Sequence, residues 1–248
     1  MLPILSYMGH ITYSLPTALV SNNLEYGKFN LLDTTDYITG VFPVWKELGF
    51  RFDATGFISS ERQARIISAY CQEQEKLGTP IFVDPIMGDE GKLYNGVTPS
   101  TIQSMEEMIA CADLIYPNYT EACYLTGTQY DPEGVDRETA FQLLDNLHAH
   151  GAKSVLITSI TVDGQHSVAG FNHMTGEHFL LGYTEIPVRF PGTGDIFSAV
   201  LIGHLLDGME LKPSVRKAMD AVYTLIDRNK DNKDKYAGIP VESYLYIL

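Results

Sequence analysis

Gly192, Thr193, Gly194 and Asp195 stand in a row before an apolar helical pattern that runs to Gly208. Glycines let the backbone turn its N–H groups toward one point. A helix starting there adds unpaired amide donors and the positive end of its dipole, a combination that holds an anion such as phosphate. Asp195 sits at the edge of that nest, placed to take a proton from a hydroxyl. An anion nest with a base is the minimum equipment for moving a phosphoryl group onto an alcohol. Taken alone, the same residues serve equally well as a helix start with Asp195 as its N-cap.

The surrounding pattern alternates strands and helices. Ile11 to Val20 reads as a strand region interrupted by Pro16. Asp33-Thr34-Thr35-Asp36 caps a helix through Val44, Trp45 and Leu48 to Gly49. Phe52–Phe57 is a short strand, and Ser59-Ser60 opens a helix with Ala64, Ile66, Ile67 and Tyr70 at helical spacing. Buried strands are read at Ile81–Val83, Leu114–Tyr116 and Ser154–Ile157. Helices are read at Thr98–Ile109, Asn118–Leu125, Thr139–His150, Gly194–Leu206 and Pro213–Asp227. Ser167–Gly170 and His178–Gly182 read as a hairpin. Such alternation implies an α/β fold: a mostly parallel central sheet with helices on both faces. The expected organisation is a single domain over residues 1–248.

In open sheets of this kind ligands sit beyond the carboxyl ends of the strands. The polar residues there are Asp84 after Ile81–Val83, Asn118 after Leu114–Tyr116, and Thr158-Ser159 after Val155–Ile157. The segment Asp84-Pro85-Ile86-Met87-Gly88-Asp89 puts two carboxylates around a tight turn, suited to ligand binding or to turn formation alone. Asn118-x-x-Glu121 is a capping box, and Glu121 would also stand where metal-bound water is oriented.

The net charge of −14 argues against nucleic acid and anionic membranes as partners. An anionic nucleotide would then be met by local donors and a divalent cation. No segment has the length and apolarity of a membrane span, and no secretory leader is read at the start. Cys71, Cys111 and Cys123 lie far apart without metal-ligand spacing and read as buried thiols of a cytoplasmic protein.

Together these motifs resemble the ribokinase superfamily, specifically its vitamin B6 kinase branch. The resemblance rests on Val83-Asp84-Pro85-Ile86-Met87-Gly88-Asp89, Gly91-Lys92-Leu93-Tyr94, Ala112–Asn118, Glu121-Ala122, Leu125-Thr126-Gly127, Thr158-Ser159, Gly192–Asp195 and Lys235–Ile239. It implies ATP- and Mg²⁺-dependent phosphorylation of the 5′-hydroxymethyl group of pyridoxal, pyridoxamine or pyridoxine by a homodimer, with a monovalent cation as a further candidate. By resemblance Asp195 is the general base, and Gly192, Thr193 and Gly194 are the anion hole. Asn118, Glu121, Thr158, Ser159, Asp84 and Tyr94 serve the nucleotide. Asp89 and Glu121 serve the metal, and Ser21, Asn23 and Phe57 approach the substrate, although Phe57 reads equally as a core residue.

Two departures stand out. Leu2, Ile4, Leu5 and Met8 look like the end of a core helix, so the family's opening strand and loop are expected to be missing. The substrate loop of the family, Ser-(Asn/Thr)-His-Thr-Gly, reads here Ser21-Asn22-Asn23-Leu24-Glu25, which removes a histidine and a hydroxyl. Two alternatives therefore stand beside the B6 kinase: a hydroxymethylpyrimidine (phosphate) kinase of the same fold, and a catalytically impaired protein that binds nucleotide or vitamer.

Overall fold

Local capping explains most of the element boundaries. The computed structural model describes residues 1–22, 28–50, 52–94, 97–234 and 236–248. It opens with α1 (Leu2–Tyr7), followed by the paired strands β1 (Ala18–Val20) and β2 (Leu31–Asp33). α2 (Thr35–Leu48) begins where the Asp33 carboxylate accepts the Thr35 N–H at 2.7 Å, and it ends at Gly49, whose φ is +66°. β3 (Asp53–Thr55) leads into α3 (Glu61–Leu77), capped by the Ser60 hydroxyl. β4 (Ile81–Val83) is fully buried. A small hairpin follows, β5 (Gly88–Asp89) and β6 (Lys92–Leu93), and then α4 (Pro99–Ile109) with Thr98 as its cap. β7 (Leu114–Ile115), α5 (Tyr119–Thr126) and α6 (Arg137–Ala149) precede three long strands, β8 (Ser154–Val162), β9 (Gln165–Asn172) and β10 (Glu177–Gly182). The chain closes with α7 (Thr193–Leu206), α8 (Leu211–Asn229) and two short 3₁₀ turns, Val241–Ser243 and Leu245–Ile247.

The backbone divides into two compact units, residues 33–182 and residues 1–32 with 183–248. The first unit holds a six-stranded sheet in the order β10-β9-β8-β7-β4-β3. Its pairings from β3 to β8 are parallel, and those of β8 with β9 and β9 with β10 are antiparallel. The α/β architecture with a mainly parallel sheet is thus as expected. Its core is built from Ile81, Val83, Ile115, Leu143, Leu144, Val155 and Ile157. In the second unit α7 packs against α8 and α1, and residues Ile196 to Gly203 of α7 are buried almost all round.

Three expectations need correction. The Ile11–Val20 stretch is a strand only over Ala18–Val20, and Ile11 and Tyr13 are exposed. Pro16 removes one ladder donor and holds its neighbour out of regular pairing. The strand read at Ser154–Ile157 continues to Val162 and turns back through Asp163-Gly164, with φ of +50° and +77°. Both positive angles make this a type I′ hairpin, the turn for which Asp-Gly is the sequence signal. The helix read at Pro213–Asp227 spans Leu211–Asn229.

Asp53 on β3 is the least comfortable group of the sheet unit. Its Oδ2 is buried without a hydrogen-bond partner among the described residues, and burial pushes its carboxyl up to about 6. The unfolded chain holds the proton less tightly, so the contribution of this group to stability is fully present below about pH 4 and is lost as the pH rises through about 6. Asp53→Asn is expected to flatten that slope and to raise stability at pH 7 by ~1–2 kcal/mol after allowance for solvent screening. Urea unfolding of both proteins at pH 4 and pH 7 checks this; parallel pH dependences would contradict it. Cys71, Cys111 and Cys123 are all buried thiols, as read from the sequence.

Candidate active site

Two clusters carry the residues singled out above, one in each unit. In the sheet unit the centre is Glu121. Asn118 and Glu121 form the expected capping box: the Asn118 side chain accepts the Glu121 N–H at 3.0 Å, and Glu121 Oε2 accepts the Asn118 N–H at 2.8 Å. The box also reaches far along the chain. Glu121 Oε1 accepts the N–H groups of Met87 at 2.9 Å and Gly88 at 3.4 Å, and Asn118 Nδ2 donates to Gly88 O at 2.8 Å. The first turn of α5 thereby grips the turn between β4 and β5. Glu121 is only 3% exposed. Burial pushes its carboxyl up to about 7; the three amides oppose the shift and the nearby Asp89 charge adds to it.

The hairpin that follows is tied to the same helix. Its loop, Glu90-Gly91, has φ of +51° and +75°, again type I′ geometry. Gly91 N–H donates to the buried Thr120 hydroxyl at 2.8 Å, and a Cβ at Gly91 would lie 2.6 Å from the Tyr130 ring. Asp89 therefore rides on a hairpin fixed at both ends. No local sequence signal marks Thr120, because its partner lies 29 residues away. Thr120→Val keeps the shape and deletes the acceptor, leaving Gly91 N–H without its partner. A loss of ~1–2 kcal/mol is expected, seen as a melting temperature lower by about 2–8 °C. Thr120→Ser should restore most of it, and equal melting of the Val variant and the parent would contradict the tie.

The other predicted nucleotide residues lie close by in the fold. Asp84 stands at the end of β4, where its N–H donates to Thr55 O at 3.2 Å. Thr158 forms a parallel bridge with Asn118 and donates its N–H to Pro117 O at 2.9 Å. Ser159 occupies the bulge of β8 at φ +54°, a conformation that costs a non-glycine residue ~1 kcal/mol and recurs at functional sites. Tyr94 follows β6, half-exposed, its N–H donating to Met87 O at 2.8 Å. Phe57 is 38% exposed, so it is not the core residue of the alternative reading.

The second cluster surrounds Asp195. α7 is capped by Gly192 at φ +83°, with no side-chain cap bond. Asp195 is thus not spent on capping; it sits in the first turn with its carboxylate exposed. Thr193 Oγ1 donates to Phe190 O at 3.4 Å, and a Cβ at Gly194 would meet nothing within 4 Å. A cavity of about 490 Å³ opens here, lined by Pro3, Ile4, Gly192, Asp195, Tyr236 and Glu242 among others. That volume suits a small organic ligand. Ser21 is not among its lining residues; its hydroxyl donates to Asn22 Oδ1 at 2.6 Å and accepts the Asn30 N–H at 2.9 Å. Asn23 and Leu24 of the same loop, and Lys235, lie outside the described residues. Glu242 carries no sequence motif, and only the fold brings it to this cavity.

Among the described residues no group of three or more His, Cys, Asp or Glu is arranged to hold a metal. Asp89 and Glu121 nevertheless lie within electrostatic reach of each other. Three amides leave Glu121 about one free lone-pair position. This donor set fits Mg²⁺, which keeps waters and binds through one or two carboxylates with substrate phosphates. No helix among the described residues is long and apolar enough to cross a membrane.

Known proteins share this architecture. A protein from Bacteroides thetaiotaomicron, named for the phosphomethylpyrimidine kinases and crystallised with pyridoxal, superposes with a TM-score of 0.91. It is 33% identical, with 99% of this chain and 87% of that one covered. Pyridoxal kinase from Lactobacillus plantarum gives a TM-score of 0.85 at 28% identity, over 99% of this chain and 88% of the other. Pyridoxal kinase of Arabidopsis thaliana is 33% identical over 171 residues, 66% of this chain and 53% of the plant protein, so this chain aligns with only about half of that relative's length. The family model for phosphomethylpyrimidine kinase matches residues 5–239, across both compact units. The chain belongs to the phosphomethylpyrimidine kinase family of the ribokinase superfamily, on its pyridoxal kinase branch.

Proposed function

We propose that this protein, as one kinase domain, transfers the terminal phosphoryl group of ATP to the 5′-hydroxymethyl oxygen of a B6 vitamer. The observation that carries this reading is the α7 N-terminus: glycine-capped, with Asp195 uncommitted beside a cavity of small-molecule size. In the proposed mechanism Asp195 accepts the proton of the attacking hydroxyl as the oxygen bonds to phosphorus and the bond to ADP breaks. The N–H groups of Gly192, Thr193 and Gly194 stabilise charge on the transferring group. Asp84, Tyr94, Asn118, Glu121, Thr158 and Ser159 are assigned to the nucleotide, with Asn118 and Glu121 holding the turn before Asp89 in place. Asp89 and Glu121 would hold Mg²⁺, which when bound neutralises phosphate charge. A homodimer in the cytoplasm is part of the same proposal.

ADP release with Mg·ATP and each of pyridoxal, pyridoxamine, pyridoxine and hydroxymethylpyrimidine tests it. Turnover on a vitamer supports the assignment. The family match favours one second reading, a hydroxymethylpyrimidine or hydroxymethylpyrimidine phosphate kinase, and turnover on the pyrimidines alone would establish it. Binding without turnover on any of them would point to the non-catalytic alternative.

A further inference from the structure

The walls of the Asp195 cavity come from three places in one unit. The start of α1 contributes Pro3 and Ile4, the nest contributes Gly192 and Asp195, and the returning C-terminal segment contributes Tyr236 to Glu242. That segment is held against the nest: a Cβ at Gly238, whose φ is +72°, would stand 3.5 Å from Pro191 O. Glu242 sits on the 3₁₀ turn Val241–Ser243, which also packs on α1. Among the described lining residues Asp195 and Glu242 are the only charged side chains and none is basic; Met1, with its main-chain amino group, also lines the cavity and leaves the two carboxylates in excess.

Two carboxylates, with no basic side chain among the described lining residues, disfavour a second phosphate on the substrate. They favour a neutral alcohol, and more so one bearing an ammonium group. Asp195 has its task in proton transfer, which leaves Glu242 as the group that reads charge. We infer that Glu242 is a specificity-determining residue that selects unphosphorylated heteroaromatic alcohols and favours those carrying a protonated amine. This rests on the proposed function of the same cavity.

The test is calorimetric binding of pyridoxamine and pyridoxal to the full chain and to Glu242→Gln, with ADP release measured alongside. Pyridoxamine, the amine-bearing vitamer, is expected to bind the parent more tightly. Glu242→Gln should weaken it about 2–5-fold, the range of a solvent-exposed ion pair, and leave pyridoxal nearly unchanged. The difference should shrink as salt rises. Hydroxymethylpyrimidine phosphate should bind more weakly than hydroxymethylpyrimidine, and Glu242→Lys should narrow that gap. Equal changes for both vitamers, or none, would overturn the role of Glu242. Selective binding without ADP release would leave the inference standing and remove the kinase reading.

Discussion

Replacing Asp195 by asparagine is expected to lower kcat by about 10²–10⁴-fold, the usual contribution of a general base. The substitution is nearly isosteric. Since Gly192 caps α7 without any side chain, the helix start and its amide donors should survive it. ATP affinity should stay within about 3-fold or improve slightly, because one negative charge near the phosphates is gone. Steady-state ADP release and nucleotide calorimetry on the same preparation separate the two effects. Loss of turnover with intact nucleotide binding is the signature of a missing base. A kcat within about 3-fold of the parent would mean that another group takes the proton.

The second large effect is structural. Glu121→Ala removes the acceptor of three backbone N–H groups, those of Met87, Gly88 and Asn118. Each buried donor left unpaired costs ~1–3 kcal/mol, and the three are not independent. A net loss of about 3–5 kcal/mol is expected, or at least ~6–10 °C in melting temperature for a chain of this size. Glu121→Gln should fall between. Its carbonyl oxygen can still accept from Met87 and Gly88, but its amide then meets the Asn118 N–H as a second donor. The variants differ in pH response as well. Glu121 is raised from 4.5 to about 7 in the fold, so it contributes stability below about pH 4.5 that is lost as the pH rises to about 7. Glu121→Gln should lack that component. Thermal melts of the three proteins at pH 5 and pH 7.5 check both points, and an alanine variant that melts with the parent would contradict the clamp.

Caps and buried runs were legible because their causes are local. Asp33, Ser60 and Asn118 each bond an amide two or three residues away, and short apolar runs such as Ile81–Val83 have few alternatives to a buried strand. The helix start at Gly192 was legible for the same reason, although only the structure separates Asp195 from the cap. What stayed hidden depends on distant partners. The reach of Glu121 to Met87 spans 34 residues, and no spacing rule announces it. Glu242 approaches the Asp195 cavity only because the segment after α8 folds back. The hairpin at Asp163-Gly164 is different: its turn signal was present in the sequence, but the second half of β8 is interrupted at Ser159, which broke the alternation that would have revealed it.

The division into a continuous unit and a split one also sets an order of events during synthesis. Residues 33–182 are contiguous and can fold once they leave the ribosome, whereas residues 1–32 pack in one unit with 183–248. At roughly 5–20 residues per second, the partners of the first helix arrive on the order of ten seconds or more after it. Ile4 and Leu5, buried in the finished fold, spend that interval without their final contacts. Residues 1–32 therefore wait for partners that residues 33–182 do not need, and pulse proteolysis of stalled chains should find residues 33–182 protected before residues 1–32.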